Sequence, residues 1–179
     1  MRRVTQPLVE MGAQVVEEHG DCLPLTIAGA GLQPIDYESP VASAQVKSAI
    51  LFAGLVAQVR VSVAEPVKSR DHTERLFRFI GAHVRVEGSK VDLTDPGDVL
   101  RTAGPLDIDI PGDPSSAAFL CGAAILAGPE EVKLEHVCVN ETRTGYLDVL
   151  NRMGAEVSVE NKRVVCGEPV ADLVVSPSN

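Results

Sequence analysis

The sequence predicts an α/β fold of repeated βαβαββ units with enclosed helices. An apolar-Gly-Ala phrase recurs at Gly12, Gly81 and Gly154, at intervals of about seventy residues. Two helix starts rich in small residues, at Ser43 and Ser115, recur at about the same interval. The helices that follow them are apolar nearly all round, which is typical of helices covered by other elements.

The first unit looks incomplete. A helix over 4–11 places Val4, Leu8 and Met11 on one face, and Gly12 ends it in the left-handed conformation that glycine adopts readily. Alternating apolar residues then predict strands at 14–17, 25–27 and 35–38. These elements are fewer than a complete unit requires.

The second and third units are predicted to be complete. In each, a small-residue turn starts a buried helix, a strand follows, and a second helix ends at the Gly-Ala phrase before the last strands. For the second unit the predicted helices are 43–57 and 71–80, with strands at 59–63, 83–87, 91–93 and 106–110. For the third unit they are 115–126 and 144–153, with strands at 132–137, 156–160, 163–165 and 173–175. The turn at Pro111 predicts a domain boundary between 1–110 and 111–179.

Composition narrows the class of partner. The formal net charge is -9, which argues against a nucleic-acid-binding surface or an anionic membrane partner. The four cysteines are widely spaced without a metal-binding pattern, which indicates reduced thiols in a cytoplasmic protein. We expect no membrane span and no secretory signal. Any anionic ligand must therefore be bound by a local cluster of donors.

The helix start at Ser43 predicts such a cluster. The first backbone N–H groups of a helix have no intrahelical partner and lie at the positive end of its dipole, so they bind phosphate well. Ser43 is the expected N-cap, and Lys47 could face either way. The second start, Asp113-Pro114-Ser115-Ser116, allows either another anion site or a structural cap.

Four motifs together resemble the 3-phosphoshikimate 1-carboxyvinyltransferase (EPSP synthase) family, in its class II form. They are Ala42 to Ala49, Arg70 to Glu74, Pro111 to Phe119, and Thr142 to Gly145, in order along nearly the whole chain. The resemblance implies the inside-out α/β barrel of the enolpyruvyl transferases, here incomplete. It implies that 1–110 is part of the upper substrate-binding domain, and that 111–179 is the first repeat unit of the lower domain. It also favours the structural interpretation of the second helix start.

The resemblance also implies an activity and a set of binding residues. The family transfers the enolpyruvyl group of phosphoenolpyruvate to the 5-hydroxyl of shikimate 3-phosphate, a step of aromatic amino acid biosynthesis, without a metal or other cofactor. By this resemblance Ser43, Ala44 and Gln45 bind shikimate 3-phosphate, Gln45 also reaches phosphoenolpyruvate, and Arg70 is a further substrate contact. His72 receives no catalytic role.

Catalytic residues are not expected in this chain. The family's catalytic aspartate and lysine, and its phosphoenolpyruvate loop, match nothing here. We therefore expect an internal piece, roughly two fifths of the enzyme, with negligible activity alone.

Two alternatives remain open. One is the related enolpyruvyl transferase that acts on UDP-N-acetylglucosamine. A reactive cysteine in a basic loop would favour it, and Cys22, beside Asp21, does not resemble one. The other is a non-catalytic scaffold that associates with a partner through an apolar face left uncovered by missing repeat units. Saturable binding of shikimate 3-phosphate would separate the enzyme segment from the scaffold.

Overall fold

The computed structural model describes residues 1–19, 22–102, 104–127 and 130–177, with the backbone alone for 17–19. The chain divides into two compact units, Met1–Leu106 and Asp107–Asn179. Over the described ranges, no helix is long and apolar enough to cross a membrane. Each unit has its own sheet and its own core, so each is described separately.

The first unit contains a hairpin and a four-stranded mixed sheet. Strands β1 and β2 pair antiparallel, and the larger sheet has the order β3-β4-β6-β5, in which β3 and β4 are parallel and the other pairs antiparallel. The elements are α1 (Arg2–Glu10), β1 (Gln14–His19), β2 (Cys22–Ala28), β3 (Ile35–Glu38), α2 (Ala44–Ala57), β4 (Val61–Ala64), α3 (His72–Phe79), β5 (His83–Glu87), β6 (Lys90–Asp95) and α4 (Val99–Thr102).

Helix α2 makes the parallel connection between β3 and β4 and lies in the core. Ile50 and Leu51 are fully buried beside Phe77 of α3 and Leu93 of β6. Gly54 allows α2 to approach β4 closely, because an added Cβ atom there would lie 2.7 Å from the Val61 side chain. The packing of α2 against the sheet therefore fixes the position of the helix and of its start.

The second unit contains a three-stranded antiparallel sheet of order β7-β9-β8. Its core includes Cys121, Leu147 and Leu173. The elements are α5 (Pro114–Ala127), β7 (Val132–Cys138), α6 (Gly145–Arg152), β8 (Val157–Val165) and β9 (Glu168–Val175).

The repeated Gly-Ala phrases end helices as predicted. Gly12, Gly81 and Gly154 follow the C-caps of α1, α3 and α6 and have φ angles of 104°, 93° and 92°. These angles lie in the region that glycine adopts without a Cβ clash. The strands β1, β5 and β8 begin within three residues of these glycines.

One predicted strand is wrong, and two others are joined into one. Residues 106–110 form no strand in the described chain, because their alternating apolar residues find no ladder partner, and Ile110 is 80% exposed. The strands predicted at 156–160 and 163–165 are one strand, β8. Asn161 adopts a φ of 49° at a register shift, and pairing with β9 then resumes.

The two apolar helices are each covered on one face within their own unit. On α2 the exposed side includes Phe52 and Val56, at 42% and 69% exposure. On α5 it includes Phe119 and Leu126, at 82% and 87%. Both helices thus carry more apolar surface than the described chain buries.

Candidate functional site

The start of α2 has the predicted cap. Ser43 precedes the helix in an extended conformation, with φ -150° and ψ 102°, and its hydroxyl accepts a hydrogen bond of 3.4 Å from the Val46 N–H. The Ser43 carbonyl accepts from the Lys47 N–H at 3.0 Å. No acceptor for the N–H groups of Ala44 and Gln45 is present among the described residues. Two backbone donors therefore remain available at the positive end of α2.

An open depression of about 240 Å³, which we call the α2 pocket, lies at this helix start. Its α2 wall is formed by Ala44, Gln45 and Ser48, and its α3 wall by Arg70, His72 and Thr73. The Ser48 and Thr73 hydroxyls are 2.6 Å apart and link the two helices. The pocket thus combines a helix N-terminus, an amide side chain, hydroxyls, an imidazole and a guanidinium.

Arg70 is the cationic residue of the pocket. It is exposed, and it makes no hydrogen bond or ion pair within the described part of the chain. The neighbouring cations Lys68 and Arg75, in contrast, both form ion pairs with Asp71, at 3.1 Å and 2.9 Å. Arg70 differs from both in having no partner within the described residues, and its planar guanidinium is well suited to an external anion.

A buried ion cluster lies next to the pocket. Lys47 is 1% exposed, and its Nζ lies 3.1 Å from Glu65 Oε2 and 2.8 Å from Glu74 Oε1. Lys47 therefore points into the protein and does not line the pocket, which answers the question of direction that the sequence left open. Burial by itself raises the pKa of the Glu65 carboxyl. Hydrogen bonds from Ser69 and Ser43 and the Lys47 ammonium outweigh this effect and hold that pKa below its usual range.

Three of the four predicted binding residues line one pocket. Ala44, Gln45 and Arg70 do so, whereas Ser43 caps the helix and is not a lining residue. Ser48, His72 and Thr73 also line the pocket and were not predicted as site residues. Helical spacing could have indicated Ser48, which lies one turn after Ala44, and proximity to Arg70 could have indicated the other two.

The second helix start is organised by a carboxylate. Asp113 Oδ1 accepts from the Ser115 N–H at 3.2 Å, and Oδ2 accepts from the Ser116 N–H and hydroxyl at 3.2 Å each. Arg143 donates to Asp113 Oδ1 at 3.0 Å and to the Ser115 hydroxyl at 2.6 Å. The Ser115 N–H, with Ser116 and Arg143, holds the pKa of Asp113 below its usual range. The capping residue is thus Asp113 rather than Ser115, because the carboxylate reaches two amides at once.

The repeat architecture and the α2 pocket define a class: an α/β repeat protein with a pocket of hydrogen-bond donors at a helix start. The model of one family, EPSP synthase (3-phosphoshikimate 1-carboxyvinyltransferase), matches residues 1–177. The chain belongs to the EPSP synthase family.

Individual relatives agree with this assignment. The chain is 48% identical over 180 residues to a 3-phosphoshikimate 1-carboxyvinyltransferase of Synechococcus elongatus, covering 100% of this chain and 40% of the relative. It is 51% identical over 176 residues to that of Alkalilimnicola ehrlichii, covering 98% and 39%. A solved EPSP synthase from Acinetobacter baumannii superimposes with a TM-score of 0.81 at 43% identity, covering 99% of this chain and 40% of that one. The chain thus spans about 40% of the length of these relatives.

Proposed function

We propose that the α2 pocket binds shikimate 3-phosphate for an enzyme that transfers the enolpyruvyl group of phosphoenolpyruvate. The observation that carries the proposal is the juxtaposition of Arg70, which has no ion pair within the described residues, with the free N–H groups of Ala44 and Gln45. Two backbone donors and one guanidinium match the oxygens of a phosphate or carboxylate. Membership of the family favours this ligand over other anions.

Each predicted residue receives a distinct role in this proposal. The Gln45 side chain and the first amides of α2 bind and orient the substrate, with Gln45 extending toward phosphoenolpyruvate. Arg70 neutralises charge on the opposite wall. Ser43 contributes through the helix start that it caps. No acid or base for proton transfer is assigned to this chain, so ligand binding is the appropriate measurement rather than turnover.

The test is calorimetric titration of the purified chain with shikimate 3-phosphate. We expect saturable binding that Gln45→Ala and Arg70→Ala each weaken by about tenfold or more, since hydrogen bonds to charged groups are stronger than neutral ones. Arg78→Ala is the matched control, because Arg78 is an exposed arginine of α3 outside the pocket. A folded chain without saturable binding, or equal losses with Arg78→Ala, would overturn the proposal.

A parallel titration with UDP-N-acetylglucosamine distinguishes the related transferase. Binding of this ligand with competition by shikimate 3-phosphate would reassign the substrate of the pocket. Binding of neither ligand by a folded chain would favour the scaffold hypothesis.

The remaining proposals concern domains, location and association. We propose that residues 1–110 are part of the upper substrate-binding domain and that residues 111–179 are the first repeat unit of the lower domain. The cysteines are free thiols, which supports a reducing, cytoplasmic location.

Exposed Phe119 and Leu126 on α5 support association through an apolar face. Light scattering of Phe119→Ser/Leu126→Ser against the parent chain tests the association.

A further inference from the structure

The buried carboxylate of Glu65 accepts hydrogen bonds from the residue that precedes each wall of the α2 pocket. Glu65 Oε1 accepts a hydrogen bond of 2.8 Å from the N–H of Ser43, the residue before Ala44. Glu65 Oε2 accepts from the Ser69 hydroxyl at 2.7 Å and from the Ser69 N–H at 3.3 Å, and Ser69 is the residue before Arg70. The backbone at both walls is therefore bonded to a single side chain.

We propose that Glu65 is a positioning residue, which sets the separation of the two walls so that Gln45 and Arg70 contact one anion together. The inference rests on the proposed function of the pocket. Glu65 does not line the pocket, and its side chain is 1% exposed, so it acts through Ser43 and Ser69 rather than by touching the ligand.

The ionised form of Glu65 is what this role requires. A carboxylate accepts hydrogen bonds at both oxygens, whereas a neutral side chain would present a donor to at least one of its partners. Lys47 supplies the opposite charge that keeps a buried carboxylate ionised. Glu74 contacts the same Lys47, but it makes no hydrogen bond to Ser43 or Ser69 within the described chain. The positioning function thus distinguishes two carboxylates that share one cation.

The experiment compares Glu65→Gln with Glu74→Gln in titrations with shikimate 3-phosphate. Both changes remove one negative charge beside Lys47, but only Glu65→Gln replaces an acceptor of the wall bonds with an amide. We expect about tenfold weaker binding for Glu65→Gln and less than about a twofold change for Glu74→Gln. Equal losses in the two variants would overturn the inference.

A double-mutant cycle with Arg70→Ala separates positioning from general destabilisation. If Glu65 acts by placing Arg70 relative to Gln45, its replacement should cost less than about twofold once Arg70 is absent. The same tenfold loss in both backgrounds would mean that Glu65 supports the fold and has no positioning role.

A measurement without ligand keeps this inference separable from the proposed function. Amide order parameters from NMR relaxation should fall at Gln45 and Arg70 in Glu65→Gln and stay unchanged in Glu74→Gln. This result in a chain that binds no shikimate 3-phosphate would support Glu65 as the wall-positioning residue while overturning the ligand assignment. Unchanged order in a folded Glu65→Gln variant would overturn the inference itself.

A second variant applies if Glu65→Gln does not fold. Ser69→Ala removes the 2.7 Å hydroxyl bond on the α3 side only and leaves the buried ion cluster intact. We expect about threefold weaker binding and lower amide order at Arg70 alone. No change in either quantity would overturn the inference.

Discussion

The two helix starts of this chain have similar small-residue sequences but are capped by different kinds of side chain. At α2 the cap is the neutral hydroxyl of Ser43, and Arg70 is left without an internal partner in the described residues. At α5 the cap is the carboxylate of Asp113, which accepts from the first amides and also from Arg143. The first amides of α2 have no acceptor among the described residues, whereas those of α5 already bind a carboxylate of the chain.

At α5 a carboxylate of the chain already occupies the first amides, which leaves fewer donors for an external anion than the neutral cap of α2 does. In the first unit Glu65 and Asp71 also lie near the pocket, but each is occupied by other donors. Glu65 pairs with Lys47, and Asp71 pairs with Lys68 and Arg75. The identity of the capping side chain, neutral or charged, therefore separates the two regions.

The largest expected effect concerns the buried cation behind the first start. Lys47→Met leaves Glu65 and Glu74 buried without their shared partner, so we expect a loss of about 3–5 kcal/mol in the free energy of unfolding. Arg143→Met, in the partly exposed pair of the second start, should cost much less. Urea unfolding of both variants checks the difference, and equal losses would contradict the contrast between a buried and a solvated ion pair.

The next effect is the pH dependence that Glu65 contributes at the first start. The pKa of Glu65 is lowered in the folded chain, so its contribution to stability is complete above its ordinary value of 4.5 and is lost as the pH falls through the folded value. Glu65→Gln should reduce the unfolding free energy by about 2 kcal/mol at pH 7. The difference from the parent chain should shrink below pH 4.5. Urea titrations between pH 7 and pH 3 measure this, and a constant difference across the range would contradict the ionised state of Glu65.

A smaller effect separates the two arginines by their geometry of binding. Arg70→Lys keeps the charge but loses the planar fork, so shikimate 3-phosphate should bind about tenfold more weakly. Arg143→Lys should leave that affinity within about twofold, because Arg143 is committed to Asp113 and Ser115. Calorimetry on both variants is the measurement. A larger loss with Arg143→Lys would show that the second start also contributes to the ligand.

The smallest effect would convert the second start into a copy of the first. Asp113→Ser replaces the carboxylate with a hydroxyl cap and frees Arg143, so the amides of Ser115 and Ser116 should bind inorganic phosphate weakly, in the millimolar range. NMR shifts of these two amides during a phosphate titration test this. Asp107→Ser, at an exposed carboxylate outside the cap, is the control. Absence of phosphate-dependent shifts in Asp113→Ser would show that a neutral cap alone does not create the site.

Local patterns predicted much of the fold because they depend on neighbouring residues. The glycine stops after α1, α3 and α6 follow from the steric freedom of glycine, and the Ser43 cap follows from the hydrogen-bonding reach of serine. The strand at 106–110 was predicted wrongly because alternation describes a face and does not provide a ladder partner.

The sequence by itself determined the repeat, the order of most of its helices and strands, and three residues that line one pocket: Ala44, Gln45 and Arg70. Only the tertiary structure decided which charged side chains are paired within the protein. Lys47 turned out to be buried between Glu65 and Glu74, Asp113 to be paired with Arg143, and Arg70 to lack a partner among the described residues. The reason is physical: helix propensity and capping act over a few residues, whereas these ion pairs join residues 18 to 30 positions apart whose contact depends on packing.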